Sequence, residues 1–321
     1  MSTGILCFSR KGEELSRRIA GSLGQGSISR CGKGELASWT RQHFETDDLL
    51  IYVGACGIAV RAIAPYVASK TADPAVLVVD ETGKYVISLL SGHLGGANAW
   101  CSAVASAIGA EPVITTATDR NGVFAVDEWA RQHGFVVRNT HKIVEISSAL
   151  LAGKTVEIHS DFPICGELPE GVVPGEKGFF VSCFAGEGLR VIPRILTLGV
   201  GCRKGISEEK VEAAYDRMLA LSGICPEAIC KICSVDLKAE EPGLMALAER
   251  LGIPFECFSS QQLRQVPGEF SASPFVQSVV GVDNVCERSA VLGSRGKLIM
   301  KKQVLDGVTM ALAMAPCTIS F

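Results

Sequence analysis

The sequence predicts an α/β protein with two three-layer units, which a small loop-rich middle segment joins. Over the first 140 residues, short apolar runs alternate with patterns of helical spacing, as expected for helices that cover a largely parallel sheet. Proline and glycine then interrupt residues 141–194, and the alternation resumes at residue 195. We therefore expect an N-terminal domain at 1–140, a middle insert at 141–194 and a C-terminal domain at 195–321.

The N-terminal domain is predicted to begin with a strand at 5–8 and a helix at 12–23, which has Leu15, Ile19 and Leu23 on one face. Further strands are predicted at 49–53, 76–79, 85–90 and 112–115, and further helices at 58–63, 94–108 and 125–133. The run Asp-Glu-Thr-Gly at 80–83 lies between two of these strands and predicts a hairpin turn. The sheet is therefore expected to be mostly parallel.

The middle segment is predicted to hold a helix at 143–151, a strand at 155–159 and a loop-rich remainder. In the C-terminal domain, strands are predicted at 196–200, 229–235 and 255–258, and helices after Ser207 and at 244–251. Asp306 and Gly307 separate apolar runs at 298–304 and 308–313, which is a strong hairpin signal. We expect a mixed sheet that ends in this hairpin.

Composition excludes several classes of function. The chain has 31 basic and 34 acidic residues, so its net charge of −3 does not favour nucleic acid or an anionic membrane. Aromatic residues make up 6%, which gives no sign of base-stacking platforms. The apolar run at 307–317 is about half as long as a membrane span, and the N-terminus does not resemble a signal peptide. We therefore expect a cytoplasmic protein whose 13 cysteines are reduced thiols.

A glycine-rich loop at 92–98 joins a predicted strand to a predicted helix. Gly92, Gly95 and Gly96 would let a ligand approach the backbone closely. His93 is the only histidine in such a loop, and an imidazole titrates near neutral pH. A catalytic role for His93 is one interpretation. A surface histidine, beside glycines that serve the turn, is the other.

Two further strand ends of the N-terminal domain carry polar side chains. Thr116 and Asp119 could bind a polar ligand or orient water, although such residues often only cap the next turn. Arg61 lies one turn into a predicted helix and could pair with a substrate carboxylate. Asp73 and Glu81 are its alternative partners within the chain.

In the C-terminal domain, a glycine-rich turn lies between a predicted strand and a predicted helix. Gly201, Arg203 and Lys204 belong to this turn, where backbone N–H groups and two cations could hold an anion. An ordinary turn with solvated charges is equally compatible with the sequence. No histidine follows His159, so a domain at 195–321 cannot supply a histidine base.

Three other residues of this domain have a structural interpretation that we prefer. Glu287 could be a general acid, but its spacing from Asn284 fits a capping box and favours a helix cap. Cys230 and Cys233 have CxxC spacing inside an apolar run, which favours core packing over a metal site.

Short motifs are spread over nearly the whole chain. In the N-terminal domain they are Gly57, Arg61, Pro65, Lys70, Asp73, Pro74, the run Ser-Gly-His-Leu-Gly-Gly-Ala-Asn at 91–98 and Thr-Thr-Ala-Thr-Asp at 115–119. In the C-terminal domain they are Gly-Val-Gly-Cys-Arg-Lys-Gly at 199–205, Ser-Val-Asp-Leu-Lys at 234–238, Glu241, Phe275, Gly281, Glu287, Ala290 and Lys301. Together these residues resemble the cobalt-precorrin-5A hydrolase (CbiG) family of the anaerobic cobalamin (vitamin B12) pathway.

The resemblance implies a hydrolase that opens the δ-lactone of cobalt-precorrin-5A and releases the bridge carbon with its methyl group as acetaldehyde, giving cobalt-precorrin-5B. The cobalt would belong to the substrate, so no cofactor and no enzyme-bound metal is expected. The implied partners are the corrinoid substrate and other enzymes of the pathway, with a homodimer allowed and with no nucleic acid or membrane.

For that reaction, His93 is the candidate base that activates water, and N–H groups of its loop are candidate oxyanion donors. Carboxylates of the macrocycle suit arginine side chains and helix N-termini. The expected substrate-binding residues are Gly57, Arg61, Gly92, Gly95, Gly96, Asn98, Thr116, Asp119, Gly201, Arg203 and Lys204. We expect the macrocycle to bind in a cleft between the two units, because ligand sites favour domain interfaces.

Two other classes of function stay open from the residues. A non-catalytic carrier could bind a tetrapyrrole and pass it between enzymes, and it would release no acetaldehyde. An unrelated anion-binding α/β enzyme could use the turn at Gly201, and it would bind a nucleotide but no corrinoid.

Overall fold

The computed structural model describes residues 2–69 and 72–321. Lys70, which is one of the motif residues, and the side chain of Phe275, which is another, lie outside what it describes. The chain divides into two compact units. Unit 1 holds the residues up to His133 together with Thr140–Thr155, and unit 2 holds Gly134–Asn139 and Val156–Phe321. The three-domain division expected from the sequence stays a prediction.

Unit 1 contains a six-stranded sheet. Its strands are β1 (Thr3–Cys7), β2 (Ser27–Arg30), β3 (Leu49–Val53), β4 (Ala75–Val79), β5 (Tyr85–Leu90) and β6 (Glu111–Val113), in the order β2-β1-β3-β4-β5-β6. The strands β1 to β4 are parallel to one another, β5 is antiparallel to β4, and β6 is parallel to β5. Consequently β5 and β6 end at the edge of the sheet where β3 and β4 begin.

Helices cover both faces of this sheet. They are α1 (Arg10–Leu23), α2 (Leu36–Thr46), α3 (Cys56–Ile63), α4 (Ala97–Ile108), α5 (Ala117–Asn121), α6 (Val126–Gln132) and α7 (Ile143–Leu151). Ile19 of α1 and Cys101 of α4 are buried on one face, whereas Phe44 of α2 and Ile63 of α3 are buried on the other. The predicted three-layer α/β architecture with a mostly parallel sheet is confirmed.

Three elements of unit 1, namely β2, α2 and the five-residue helix α5, escaped the sequence analysis, and the helix before β6 begins later than predicted. The strand β2 is short and largely polar, and α2 carries a mixed surface, so neither has a clear apolar period. The helix predicted at 94–108 begins at Ala97, because Gly96 adopts a φ of 80° and caps it. A left-handed φ of this kind favours glycine.

Unit 2 contains two five-stranded sheets. The first has the strands β7 (Val136–Arg138), β8 (Val156–Ser160), β9 (Val172–Pro174), β10 (Phe179–Val181) and β11 (Leu189–Ile192), in the order β7-β11-β10-β8-β9. The middle segment is therefore more regular than the sequence predicted. Its strands β9, β10 and β11 have only three or four residues each, too few for a period to show between prolines and glycines.

The second sheet of unit 2 is mixed, as predicted. Its strands are β12 (Leu196–Cys202), β13 (Ile229–Val235), β14 (Phe255–Phe258), β15 (Lys297–Leu305) and β16 (Val308–Met314), in the order β14-β13-β12-β16-β15. The strands β12 to β14 are parallel, and the antiparallel hairpin β15–β16 completes the sheet. Asp306 and Gly307 form its turn with φ values of 45° and 86°. This confirms the predicted terminal hairpin.

The helices of unit 2 are α8 (Glu208–Ser222), α9 (Pro242–Leu251), α10 (Ser260–Arg264), α11 (Pro274–Val280) and α12 (Cys286–Ser294). The last of these, which the sequence analysis missed, packs directly on the central strand β12. A Cβ atom at Gly199 would overlap the carbonyl oxygen of Cys286, so this close approach requires glycine. Among the helices described in either unit, none is long and apolar enough to cross a bilayer.

Candidate active site

The loop that follows β5 and the segment that follows β6 meet at one edge of the sheet of unit 1. Nε2 of His93 lies 2.7 Å from Oδ2 of Asp119, and Oγ1 of Thr118 lies 3.3 Å from the same nitrogen. The sequence analysis singled out the two segments separately. They come together because β5 and β6 are parallel neighbours, so both strands end on the same side.

A second carboxylate contacts the opposite edge of the imidazole. Oδ1 of Asp127, in the first turn of α6, lies 3.2 Å from Nδ1 of His93. The side chains of His93 and Asp127 are only 11% and 6% exposed, whereas that of Asp119 is 34% exposed. The sequence analysis missed Asp127. The helix dipole favours a carboxylate in the first turn of any helix, so such a residue does not by itself indicate a site.

These two carboxylates determine the charge of His93. Burial by itself lowers the pKa of His93, but Asp127 and then Asp119 oppose this and raise the pKa to about 9. Burial would raise the pKa of Asp127, but His93 and two backbone N–H groups hold that pKa below its usual value. At neutral pH the ring is therefore an imidazolium, whose Nε2 donates to Oδ2 of Asp119. A protonated ring has no free lone pair, so His93 would have to lose a proton before it could act as the expected base, and that role stays a prediction.

Asn98 fixes the position of Asp119 from a third side. Its side chain is buried and accepts a hydrogen bond of 2.7 Å from Oγ of Ser88. Its Nδ2 donates to Oγ1 of Thr116 at 2.9 Å and to Oδ2 of Asp119 at 3.1 Å. The structure thus brings four of the sequence-predicted site residues together, namely His93, Asn98, Thr116 and Asp119.

The glycines of the His93 loop serve its tight turn. A Cβ atom at Gly95 would overlap Ser91, and one at Gly92 would lie 2.8 Å from Oδ1 of Asn98. Gly96 has the left-handed φ that caps α4. These three positions therefore need glycine for local geometry, whether or not a ligand approaches them.

Three N–H groups of this loop are already hydrogen-bonded within it. The N–H groups of Gly96, Ala97 and Asn98 donate to the carbonyl oxygens of His93, Ser91 and Gly92, respectively. They are therefore not available as oxyanion donors in this conformation.

Gly57 and Arg61 lie at the edge of the sheet opposite His93. Gly57 lies at the start of α3, beyond the end of β3, which is the edge opposite the end of β5. Arg61 is exposed and forms no ion pair with a described residue. Its two alternative partners are engaged elsewhere, since Asp73 accepts the N–H groups of Ala68 and Ser69, and Glu81 contacts Ser9.

A cavity of about 400 Å³ opens beside the His93 loop. Leu94 and Gly95 line it, but His93 and Asp119 do not. The rest of its lining includes the carboxyl groups of Glu45, Asp47, Asp48 and Asp73. A lining of this charge would repel a macrocycle that bears carboxylates, so we do not place the substrate there.

In unit 2, the turn at Gly201 already holds an anion that belongs to the chain. The carboxylate of Glu241 accepts hydrogen bonds from the N–H groups of Gly205, at 2.7 Å, and Ile206, at 3.1 Å. Nζ of Lys238 donates to its other oxygen at 2.8 Å. Burial would raise the pKa of Glu241, but Lys238 and these N–H groups hold it below its usual value.

The two cations of the same turn are free for another role. Arg203 and Lys204 are both exposed, and neither forms an ion pair with any residue in the described ranges. In the predicted anion site, the backbone donors at Gly205 and Ile206 therefore already bind Glu241, whereas the side chains of Arg203 and Lys204 face solvent.

Glu287 has a structural role that only partly matches the prediction. Oδ1 of Asn284 accepts the N–H of Glu287 at 2.8 Å, which is one half of the expected cap. The carboxylate of Glu287 is fully buried and accepts instead from the N–H and Oγ of Ser271 and from the N–H of Lys302. Glu287 thus links the loop that contains Ser271 to β15 by hydrogen bonds.

His159, which the structure places in unit 2, also lies between two carboxylates. Its ring lies 3.3 Å from Asp161 and 3.2 Å from Glu176, but its side chain is 34% exposed and that of Glu176 is 81% exposed. Solvent screens such a pair, so His159 lacks the enclosed charge that marks His93. Within residues 2–69 and 72–321 there is no cluster of three or more histidine, cysteine or acidic side chains that could hold a metal ion.

Comparison with known proteins gave consistent matches to both halves of the chain. Residues 38–119 match the family described as "Cobalamin synthesis G N-terminal", and residues 196–313 match "Cobalamin synthesis G C-terminus". The chain is 34% identical over 345 residues to a cobalt-precorrin-5A hydrolase of Salmonella typhimurium, covering 98% of each protein. It is 26% identical over 356 residues to a cobalt-precorrin-5A hydrolase of Priestia megaterium, covering 97% of this chain and 94% of that protein. A crystal structure of a putative cobalamin biosynthesis protein G homolog from Sulfolobus solfataricus is 22% identical, with a TM-score of 0.43, over 98% of this chain and 97% of that one.

Proposed function

This chain belongs to the cobalt-precorrin-5A hydrolase (CbiG) family, and from that premise we propose that it hydrolyses the δ-lactone of cobalt-precorrin-5A in cobalamin biosynthesis. The proposal is supported by full-length identity to proteins named for this activity. It follows the expected outcome of the reaction, in which acetaldehyde is lost and cobalt-precorrin-5B remains. The same names favour an enzyme over a non-catalytic carrier.

We place the lactone at the pair formed by His93 and Asp119. The observation that carries this placement is a largely buried imidazole that lies 2.7 Å behind a carboxylate that is one-third exposed. The two carboxylates beside the ring raise the pKa of His93 to about 9, which favours the protonated ring. Lactone hydrolysis needs a group that takes a proton from water and a positive charge near the carbonyl oxygen. Asp119 supplies the first and the imidazolium of His93 supplies the second.

Opening of the lactone then needs one attack by water and one proton transfer. Water attacks the carbonyl carbon while the carboxylate of Asp119 takes one of its protons. The charge of His93 stabilises the negative oxygen of the tetrahedral intermediate. When the intermediate collapses, the ring C–O bond breaks and the proton on Asp119 passes to the departing oxygen. The products are a free carboxyl group and a free hydroxyl group.

The exposed cations are our candidates for the carboxylates at the rim of the macrocycle. Arg61 of unit 1 and Arg203 and Lys204 of unit 2 are all exposed and unpaired among the described residues. Arginine binds a carboxylate through two parallel hydrogen bonds, which gives orientation as well as affinity. Since Arg61 lies at the edge of its sheet opposite His93, its expected contact with the substrate, like those of Arg203 and Lys204, stays a prediction separate from the placement of the lactone.

The test is acetaldehyde release from the lactone substrate. Asp119→Asn and His93→Ala should each lower kcat by about a hundredfold or more. His159→Ala is the matched control, because it removes another histidine between two carboxylates, and its kcat should stay near that of the parent. Near-normal turnover by Asp119→Asn would contradict the placement of the site.

The remaining expectations are part of the same proposal. The cobalt arrives in the substrate, so turnover should survive dialysis of the protein against a chelator. We also propose action in the cytoplasm, and the homodimer that the sequence analysis allows stays open to test. Sedimentation of the purified chain would test the second statement.

A further inference from the structure

The surroundings of His93 contain a residue to which the proposed reaction has not yet given a role. Resting on that proposed function, we propose that Asp127 is a positioning residue. It holds the Nδ1 edge of the His93 ring, so that only the Nε2 edge, which contacts Asp119, acts on the substrate. Asp127 lies outside both matched family segments, which end at residue 119 and begin again at residue 196.

The first argument is the geometry of the ring. Asp127 contacts Nδ1 at 3.2 Å from α6, and Asp119 contacts Nε2 at 2.7 Å from α5. The two nitrogens are on opposite edges of an imidazole, so contacts at both edges fix its orientation. Only one of the two carboxylates is open to solvent, since Asp119 is 34% exposed and Asp127 is 6% exposed.

The second argument is that the charge of Asp127 is balanced by His93. Oδ1 of Asp127 is buried and has no well-aligned hydrogen-bond partner among the described residues. A buried carboxylate is strongly disfavoured unless it is compensated, and the close charge of the ring adds to the two backbone N–H groups in stabilising it. The nearest other cation on α6, Arg131, is paired with Glu128 at 2.8 Å.

The third argument concerns the groups that act on the ring. The loop before α4 supplies His93 itself, α5 supplies Asp119, and α6 supplies Asp127. On α7, which packs against α5 and α6, Glu145 is engaged with Lys142 and is 67% exposed. The charge on His93 is therefore set by two carboxylates, and Asp127 is the one that cannot contact substrate.

The contact with Asp127 determines which edge of the His93 ring can exchange a proton. With Nδ1 held against a buried carboxylate, the Nε2 edge is the one that faces Asp119 and solvent. Loss of the Asp127 charge should let the ring reorient and lose its proton more easily. Asp119 would then be paired with a neutral ring for part of the time, and the stabilisation of the oxyanion would fall.

The test is Asp127→Asn, which keeps the shape of the side chain and removes its charge. Titration of the histidine ring signals by NMR, with His93 assigned from His93→Ala, should show that the pKa of His93 falls from about 9 in the parent towards its ordinary value. In parallel, kcat should fall by about tenfold or more while KM changes little, and the pH profile should shift to lower pH. Asp161→Asn, beside His159, is the matched control and should change neither quantity.

Two outcomes would overturn the proposal. One is a folded Asp127→Asn protein in which the His93 titration and the pH profile are unchanged. The other is a folded Asp127→Glu protein, which restores the charge, in which the pKa of His93 nevertheless lies at its ordinary value of 6.5. This readout does not use Asp127→Asn, so it also serves if that variant folds poorly. Failure of the proposed function would look different, because the parent protein would release no acetaldehyde while the NMR titration still reported the pair.

Discussion

At the scale of single residues, the charge of His93 links the site to stability. A group whose pKa is higher in the folded state stabilises that state fully below its unfolded pKa, and the contribution disappears as pH rises through the folded value. For His93 these limits are the ordinary 6.5 and about 9. Since one pKa unit corresponds to about 1.4 kcal/mol, the pair contributes up to about 3 kcal/mol near pH 6.

We therefore expect the free energy of unfolding to fall between pH 6.5 and 9.5, and to fall less in His93→Ala. Denaturant titrations at several pH values would measure both curves. Buried tyrosines and thiols with raised pKa values, such as Tyr52 at about 12, would affect both proteins alike at higher pH. Parallel curves for the two proteins over this interval would rule out the linkage.

The candidate site shows which residues a sequence can single out and which of their contacts it cannot predict. His93, Asn98, Thr116 and Asp119 were predicted because polar side chains after strands often face ligands. Their mutual contacts depend on β5 and β6 running in the same direction, which single motifs do not encode. Asp127 was not predicted, because nothing in the sequence distinguishes a buried first-turn carboxylate from an exposed one.

At the scale of secondary-structure elements, most strands were predicted because each is a continuous apolar run. The strands β3, β5, β13 and β14 have the predicted bounds. The helix α12 was missed, because its apolar residues are few and its packing depends on a distant glycine. Gly199 resembled part of a ligand-binding motif, but its contact is with the backbone of α12.

We expect Gly199→Ala to destabilise unit 2 strongly. The new Cβ atom would overlap a backbone oxygen, which cannot move without displacing α12, and overpacking of this kind typically costs about 1–3 kcal/mol or more. Thermal unfolding followed by circular dichroism would measure the loss. Gly21→Ala in α1 is the control: no atom lies within 4 Å of the new Cβ, so this helical site should be unchanged or slightly more stable. Equal melting temperatures for Gly199→Ala and the parent would contradict this account.

At the scale of the whole molecule, the chain passes from unit 1 to unit 2 and back before it enters unit 2 for the last time. Residues 134–139 carry β7, which pairs with β11 at the edge of a sheet of unit 2. The helix α7 then packs on α5 and α6 of unit 1. Such an excursion has no signature in composition, so the sequence could predict a change of character near residue 140 but not the interleaved order.

This order predicts how the first unit can be isolated. A fragment of residues 1–155 keeps α7, whose Ile143, Ile146 and Leu150 are buried, whereas a fragment of 1–140 loses it. We expect the longer fragment to melt cooperatively and at a higher temperature than the shorter one. In the shorter fragment α7 no longer supports α5 and α6, so we expect His93 to lose its high pKa. Limited proteolysis and NMR of both fragments would measure this. Equal stability of the two would favour a boundary at residue 140.

The enclosed imidazolium of His93 also has a consequence for covalent labelling. Acylating reagents such as diethyl pyrocarbonate react with a ring nitrogen that carries a lone pair, and a protonated ring offers none. The chain has five histidines, and His93 is the one held charged on both edges within a buried setting. In a mixture near neutral pH, mass spectrometry should therefore find His93 acylated last among the five histidines.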